Sequence, residues 1–323
     1  MKVKQFVRIS ILAIAVFAIL ANLGLLQLLA CNMTAPKLPL DETFSWRNGK
    51  YERIFYGESD AQFIDLYVPK GVLFPRLFVL VHGGGFISND AQSRQAQFMY
   101  RYFREHGYAC ASVNYRLAQE APFPAACEDV HEAVVFLARN AGEYGFDASH
   151  IAIWGESAGG YLATREALTE TQAPITELVS YYGIYDFTTA GTQFQRQGIS
   201  KFIRTAANFW TIGNLDGFDS FEEYWVRKAY PDWTEQDRQA FSVQCIAENG
   251  PANRNLRVLL VHGTSDITVP YQQSVDLAEA LKAVYGEESV SLVLVGSRIH
   301  ADDRLYTGEV LGAVDSYLCG GVL

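Results

Sequence analysis

The sequence predicts an α/β fold: a mostly parallel, eight-stranded sheet flanked by helices. Three observations carry that prediction. From residue 77 onward, short apolar runs of four to six residues alternate with helix-length patterns. The runs are apolar at nearly every position, as strands covered on both faces must be. Glycines cluster just after two of them, at Gly83-Gly84-Gly85 and around Gly155, Gly159 and Gly160, where a chain leaving a strand turns sharply.

The first segment stands apart from that pattern. Of 323 residues, 26 are basic and 36 acidic, a net charge of −10, and 49% are hydrophobic. So high an apolar fraction excludes a disordered chain, and the acidic balance disfavours nucleic acid as a partner. Residues 1–30 hold Lys2, Lys4 and Arg8 and no acid; the remainder carries 23 basic against 36 acidic side chains. Ile9–Ala21 is an apolar run of secretory length, and Ile9–Ala30, at 22 residues, also suits a membrane-spanning helix. Both readings leave the basic end in the cytoplasm and export the rest. Leu28-Leu29-Ala30-Cys31 resembles the lipobox of bacterial lipoproteins, which would make Cys31 a lipidation site. Residues 1–30 are therefore expected to be a signal peptide or membrane anchor, and 31–48, with Pro36 and Pro39, a linker.

The folded part follows. Tyr51–Tyr56 and Gln62–Val68 read as an antiparallel pair around the turn Gly57-Glu58-Ser59-Asp60. Leu77–Val81, Ala109–Val113, Ile151–Trp154, Leu178–Tyr182, Val258–Val261 and Val290–Val295 read as buried strands. Helical patterns lie at Ser93–His106, Ala125–Ala141, Ala158–Glu170, Tyr271–Tyr285 and Asp303–Tyr317. Residues 188–250 break the alternation. They carry 11 aromatics and are too long for a plain loop, so they read as a helical lid inserted in a domain that spans 49–323. Cys110, Cys127, Cys245 and Cys319 match no zinc spacing, and export would permit disulfides without requiring them.

Two glycine-rich turns carry the chemistry. Gly155-Glu156-Ser157-Ala158-Gly159-Gly160 follows a strand and opens a helix, the context a G-x-S-x-G nucleophile needs. His82-Gly83-Gly84-Gly85-Phe86 follows another strand. Its backbone N–H groups can gather around an oxyanion together with that of Ala158. No Lys follows as a phosphate loop requires, and no G-x-G-x-x-G is present. Ser157 needs a base, and the base an orienting acid. Among His82, His106, His131, His150, His262 and His300, only His300 falls after the last strand, as the chain order Ser…Asp…His requires. His82 and His262 are expected to make structural hydrogen bonds. Asp266, after the strand Val258–Val261, is the expected acid, with Asp302 and Asp303 as rivals close to His300 in sequence.

On these residues, and on Ile64–Pro69, Asn114–Leu117, Phe123-Pro124-Ala125 and Val269-Pro270, the chain from about 50 to 318 resembles the α/β-hydrolase superfamily. Within it the resemblance is to the group of hormone-sensitive-lipase-like esterases, carboxylesterases and feruloyl-esterase-like hydrolases. It implies Ser157 as nucleophile, His300 as base, Asp266 as its orienter, and an oxyanion hole from the N–H groups of Gly84, Gly85 and Ala158. The implied activity is hydrolysis of small or medium carboxylic esters through an acyl-enzyme, with no metal or organic cofactor. An amidase or formamidase, an exported peptidase, and a non-catalytic esterase-like binding module are the rival readings. Many relatives carry Asp before the nucleophile, where this chain has Glu156.

Overall fold

The computed structural model describes residues 49–196, 216, 218, 220–296 and 299–321. The expected leader or anchor, the lipidation candidate Cys31 and the linker lie outside the described residues, as do Phe202, Phe209 and Trp210 of the expected lid.

The eight strands form one sheet in the order β1-β2-β4-β3-β5-β6-β7-β8. They are β1 (Gly49–Phe55), β2 (Phe63–Pro69), β3 (Arg76–Val81), β4 (Ala109–Val113), β5 (Asp147–Glu156), β6 (Ile175–Tyr181), β7 (Arg257–Gly263) and β8 (Val290–Val295). Only β2 runs against its neighbours, pairing antiparallel with β1 and β4; every other pairing is parallel. The carboxyl ends of β3, β5, β6, β7 and β8 therefore share one edge of the sheet, where open α/β sheets hold their ligands.

Helices cover both faces: α1 (Arg94–Glu105), α2 (Ala125–Tyr144), α3 (Ala158–Thr169), α8 (Gln272–Tyr285) and α9 (Gly308–Leu318). The period-2 alternation of strand side chains sorts the apolar residues into two cores. Leu77, Val79, Ile151, Ile153 and Val258 point to the face under α2, α3 and α8. Phe78, Leu80, Ala152, Trp154 and Leu259 point to the face under α1 and α9. That is why the strands read as unbroken apolar runs.

Two expectations are adjusted. The last helical pattern is not one helix: a 3-10 turn at Asp303–Tyr306 and α9 are separated by Thr307, whose extended backbone (φ −76°, ψ 160°) breaks the run. His150 lies within β5, in its exposed first half, rather than before it. The insertion between β6 and β7 is helical where described, with α4 (Phe187–Arg196), α5 (Phe221–Val226), α6 (Glu235–Phe241) and α7 (Val243–Asn249). Thr234 and Asp237 close a reciprocal capping box at the start of α6.

Candidate active site

Ser157 sits between β5 and α3 with φ 53° and ψ −119°, a conformation L side chains seldom adopt. The surroundings hold it there. Its N–H donates to the Tyr181 carbonyl (2.9 Å), and its carbonyl accepts from Tyr161 N–H (3.1 Å), opening α3. Neighbouring glycines make the turn possible. A Cβ on Gly155 would stand 2.0 Å from the Gly159 carbonyl oxygen, and one on Gly159 only 2.2 Å from that of Val81. So α3 starts in contact with the end of β3, and the two glycine-rich turns are pressed together.

Ser157, His300 and Asp266 meet at this edge. His300 Nδ1 lies 2.7 Å from Asp266 Oδ2, and His300 Nε2 lies 3.0 Å from Ser157 Oγ. A carboxylate only accepts, so Nδ1 carries the proton and Nε2 is left to accept the serine hydroxyl. Asp266 is itself pinned. Its Oδ1 accepts from Thr268 N–H (2.8 Å) and Val269 N–H (2.9 Å), and His262 Nε2 stands 3.3 Å from its Oδ2. Burial would raise the Asp266 pKa, but the two imidazoles hold it well below the usual carboxylate range. Burial would likewise lower the pKa of His300. The Asp266 carboxylate, its hydrogen bond and the charge of Glu156 reverse that and raise it. The His300 side chain keeps 17% of its surface exposed, so the base is reachable.

The other histidines have different work. His262 Nε2 donates to the Val269 carbonyl (3.1 Å) and Nδ1 accepts from Ser274 Oγ (2.7 Å). His82 stacks on Tyr115, and its pKa is pushed down to about 4 by burial. His131 pairs with Glu166 on α3 and with Glu170 just past its end, and His106 stacks on Tyr102. The rival acids are engaged elsewhere: Asp303 pairs with Arg94, and Asp302 with Arg304.

Gly84 and Gly85 follow β3 with φ of 119° and 62°, values that glycine adopts freely. Gly84 is also sterically required, since its Cβ would lie 2.1 Å from the Ser88 carbonyl oxygen. Ala158 is the first residue of α3, beside the same turn.

Sequence reasoning treated Glu156 only as a departure from the usual Asp. The structure gives it a position in the site. It is buried, and its Oε1 accepts from Gly83 N–H (3.1 Å) while its Oε2 accepts from Tyr182 OH (2.7 Å). Tyr182 in turn bonds Tyr306 and meets the His300 ring edge-on at 4.8 Å. One carboxylate thus ties the glycine loop, the serine turn and the segment after His300. The available signal was an acid at the variable position of a motif adjacent to the glycine loop.

The inserted block lies over the glycine loop. Trp225 of α5 is fully buried and stacks on Phe86 at 3.8 Å, with Tyr161 and Phe123 edge-on. Phe221 comes within 3.1 Å of where a Gly85 Cβ would stand. Trp233 and Phe241 are buried in the same cluster.

Comparisons with known proteins fit this architecture. The BD-FAE family model matches residues 64–281. Esterase LipC of Mycobacterium tuberculosis is 25% identical over 309 residues, covering 90% of this chain and 70% of LipC. The same organism's probable carboxylic ester hydrolase LipM is 32% identical over 236 residues, 70% of this chain and 49% of LipM. This chain thus spans only about half of some relatives. Among solved structures, a truncated carbohydrate esterase from gut microbiota superposes with a TM-score of 0.67 at 18% identity, covering 84% of this chain and 96% of its own. At that identity the likeness establishes the α/β-hydrolase fold.

Proposed function

The chain belongs to the BD-FAE family, and from that premise we propose that it is a serine carboxylic-ester hydrolase working through Ser157, His300 and Asp266. The observation that carries the reading is the unbroken relay from Asp266 Oδ2 through the His300 ring to Ser157 Oγ, at 2.7 and 3.0 Å. The esterase names of LipC and LipM support it. As the Ser157 oxygen attacks the ester carbonyl, His300 Nε2 takes its proton, and the imidazolium is stabilised by Asp266. The developing oxyanion is held by the N–H groups of Gly84, Gly85 and Ala158, next to the positive end of α3. Return of the proton to the leaving alcohol gives an acyl-enzyme. Water activated by the same imidazole then releases the acid. The substrates are small or medium esters, and residues 49–323 form the catalytic domain, with 188–250 as its lid. The basic-then-apolar leader exports the domain and tethers it to a membrane, by an uncleaved helix or a lipid on Cys31.

The test is a series of p-nitrophenyl esters of graded acyl length, beside the matching anilides and the Ser157→Ala variant. The reading expects ester turnover, little anilide turnover, and loss of turnover in the variant. Anilides cleaved as fast as esters would replace esterase by amidase, and turnover surviving Ser157→Ala would end the proposal.

A further inference from the structure

We propose that the loop Val72-Leu73-Phe74 inserts into the lipid surface to which the N-terminal segment tethers this chain, as a second point of attachment. The proposal rests on the tethered reading above and adds to it a contact and an orientation.

The loop joins β2 to β3. Its three apolar side chains are consecutive and exposed, Val72 at 44%, Leu73 at 91% and Phe74 at 65%. Among the described residues, the other large exposed apolar ones, Phe55, Ile267 and Leu294, stand singly, which is ordinary for a soluble surface. The loop base is anchored. Pro75 is buried, and Arg76 donates to the His150 carbonyl (3.2 Å) and the Leu318 carbonyl (2.8 Å) and pairs with Glu177. Phe74 holds a positive φ of 50°, and Gly71 before it turns with φ 80°.

The strand register decides what the loop faces. β1 begins at Gly49 opposite Pro69, the last residue of β2. The described chain therefore starts beside this loop, at the amino-terminal edge of the parallel strands. The 22-residue run Ile9–Ala30, at ~1.5 Å per helical residue, matches a hydrocarbon core of ~30 Å, and residues 31–48 connect it to that edge. Exposed Lys70 opens the loop, where a long cationic side chain can reach the headgroups, and exposed Lys50, paired with Glu52 at 2.7 Å, lies beside it on β1. A lipid surface fits better than a second copy. Three side chains on a loop tip cannot supply the ~800 Å² per partner of a stable protein interface. Ser157 follows β5, ten residues long at ~3.3 Å each, so it lies at the far edge of the sheet. The site then opens to water, and the enzyme meets dissolved esters rather than lipids of its own membrane.

The test uses the full chain reconstituted in phosphatidylcholine vesicles that contain a lipid with a diazirine on its acyl chain. After irradiation, lipid adducts are mapped by mass spectrometry. The expected result is adducts within 9–30 and on 72–74, and none on Phe55, Ile267 or Leu294. Leu73→Asp with Phe74→Asp should lose the loop adducts, keep those in 9–30 and hydrolyse a soluble ester as before. Adducts in 9–30 alone would overturn the loop contact and leave the tether standing. Adducts spread equally over all exposed apolar residues would overturn it as non-specific. Adducts nowhere would overturn tether and loop together.

Discussion

The turns that carry Ser157 and Gly84 are held by backbone, whereas the helical block that lies over them is held by rings. At the turns, glycines let β3 and α3 touch, and single hydrogen bonds such as Gly83 N–H to Glu156 set the spacing. In the block, Trp225, Trp233 and Phe241 join Phe86, Tyr161 and Phe187 in a continuous aromatic cluster. The two regions meet at the Phe86–Trp225 stack and where Phe221 lies against Gly85. The difference teaches where each kind of change should act. An altered turn should lose chemistry and keep the fold. An altered ring should lose stability first, and chemistry only through the contacts with Gly85 and Phe86.

The largest effect belongs to the turn side. Asp266→Asn removes the carboxylate that orients His300, at a cost of ~10⁴ in kcat where the geometry is otherwise kept. Asp303→Asn, which breaks only the pair with Arg94, should change kcat little. The reverse ranking in steady-state kinetics would reassign the acid.

On the ring side, Trp225→Ala should cost ~3–5 kcal/mol in chemical denaturation, because a fully buried ring leaves a cavity against Phe86, Tyr161 and Phe123. A variant of unchanged stability that loses only affinity for bulky esters would make this part of the block a substrate wall instead.

Glu156→Gln separates charge from shape. Glutamine can still accept from Gly83 N–H through its one carbonyl oxygen while its amide N–H donates to the Tyr182 hydroxyl oxygen, so the fold should hold and KM should change little, with kcat reduced. The negative charge of Glu156 raises the His300 pKa, so its loss lowers that pKa, and the acidic limb of the pH–rate profile should move to lower pH. An unmoved limb with normal kcat would reduce Glu156 to a neutral brace.

How far the sequence disclosed this division follows the same physics. The elbow, the glycine loop, Asp266 and His300 were legible because each follows a strand end with short local spacing. β4 was placed to the residue, since a doubly covered strand is apolar throughout; β8 was also placed to the residue, but it lies at the sheet edge and is half-buried rather than the buried strand its apolar run suggested. Glu156 was not legible as a brace, because its partners Gly83, Tyr182 and Tyr306 are distant in sequence and meet only when the sheet is assembled. Nor could composition tell which aromatics of 188–250 pack inward; Trp225 and Trp233 do so through contacts with residues up to about 140 positions away, such as Phe86. The break at Thr307 was hidden because both pieces keep helical apolar spacing.

The smallest effect lies away from both regions. The Glu166 hydrogen bond, opposed by partial burial and helped by Glu170, raises the His131 pKa to about 9. A raised histidine pKa stabilises the fold fully below the unfolded value of 6.5, and that contribution is lost as pH rises through about 9. His131→Gln should therefore lower Tm at acidic pH and converge with the wild type above that range. Equal loss at both ends would show a packing role alone.

The central claim is that Ser157 is made nucleophilic by His300 and Asp266. Its most direct test is mass spectrometry of the intact chain after a small fluorophosphonate, followed by peptide mapping. The account predicts one adduct per chain, on Ser157, absent in Ser157→Ala and formed far more slowly in His300→Ala. An adduct on another residue, or labelling as fast without His300 as with it, would contradict it.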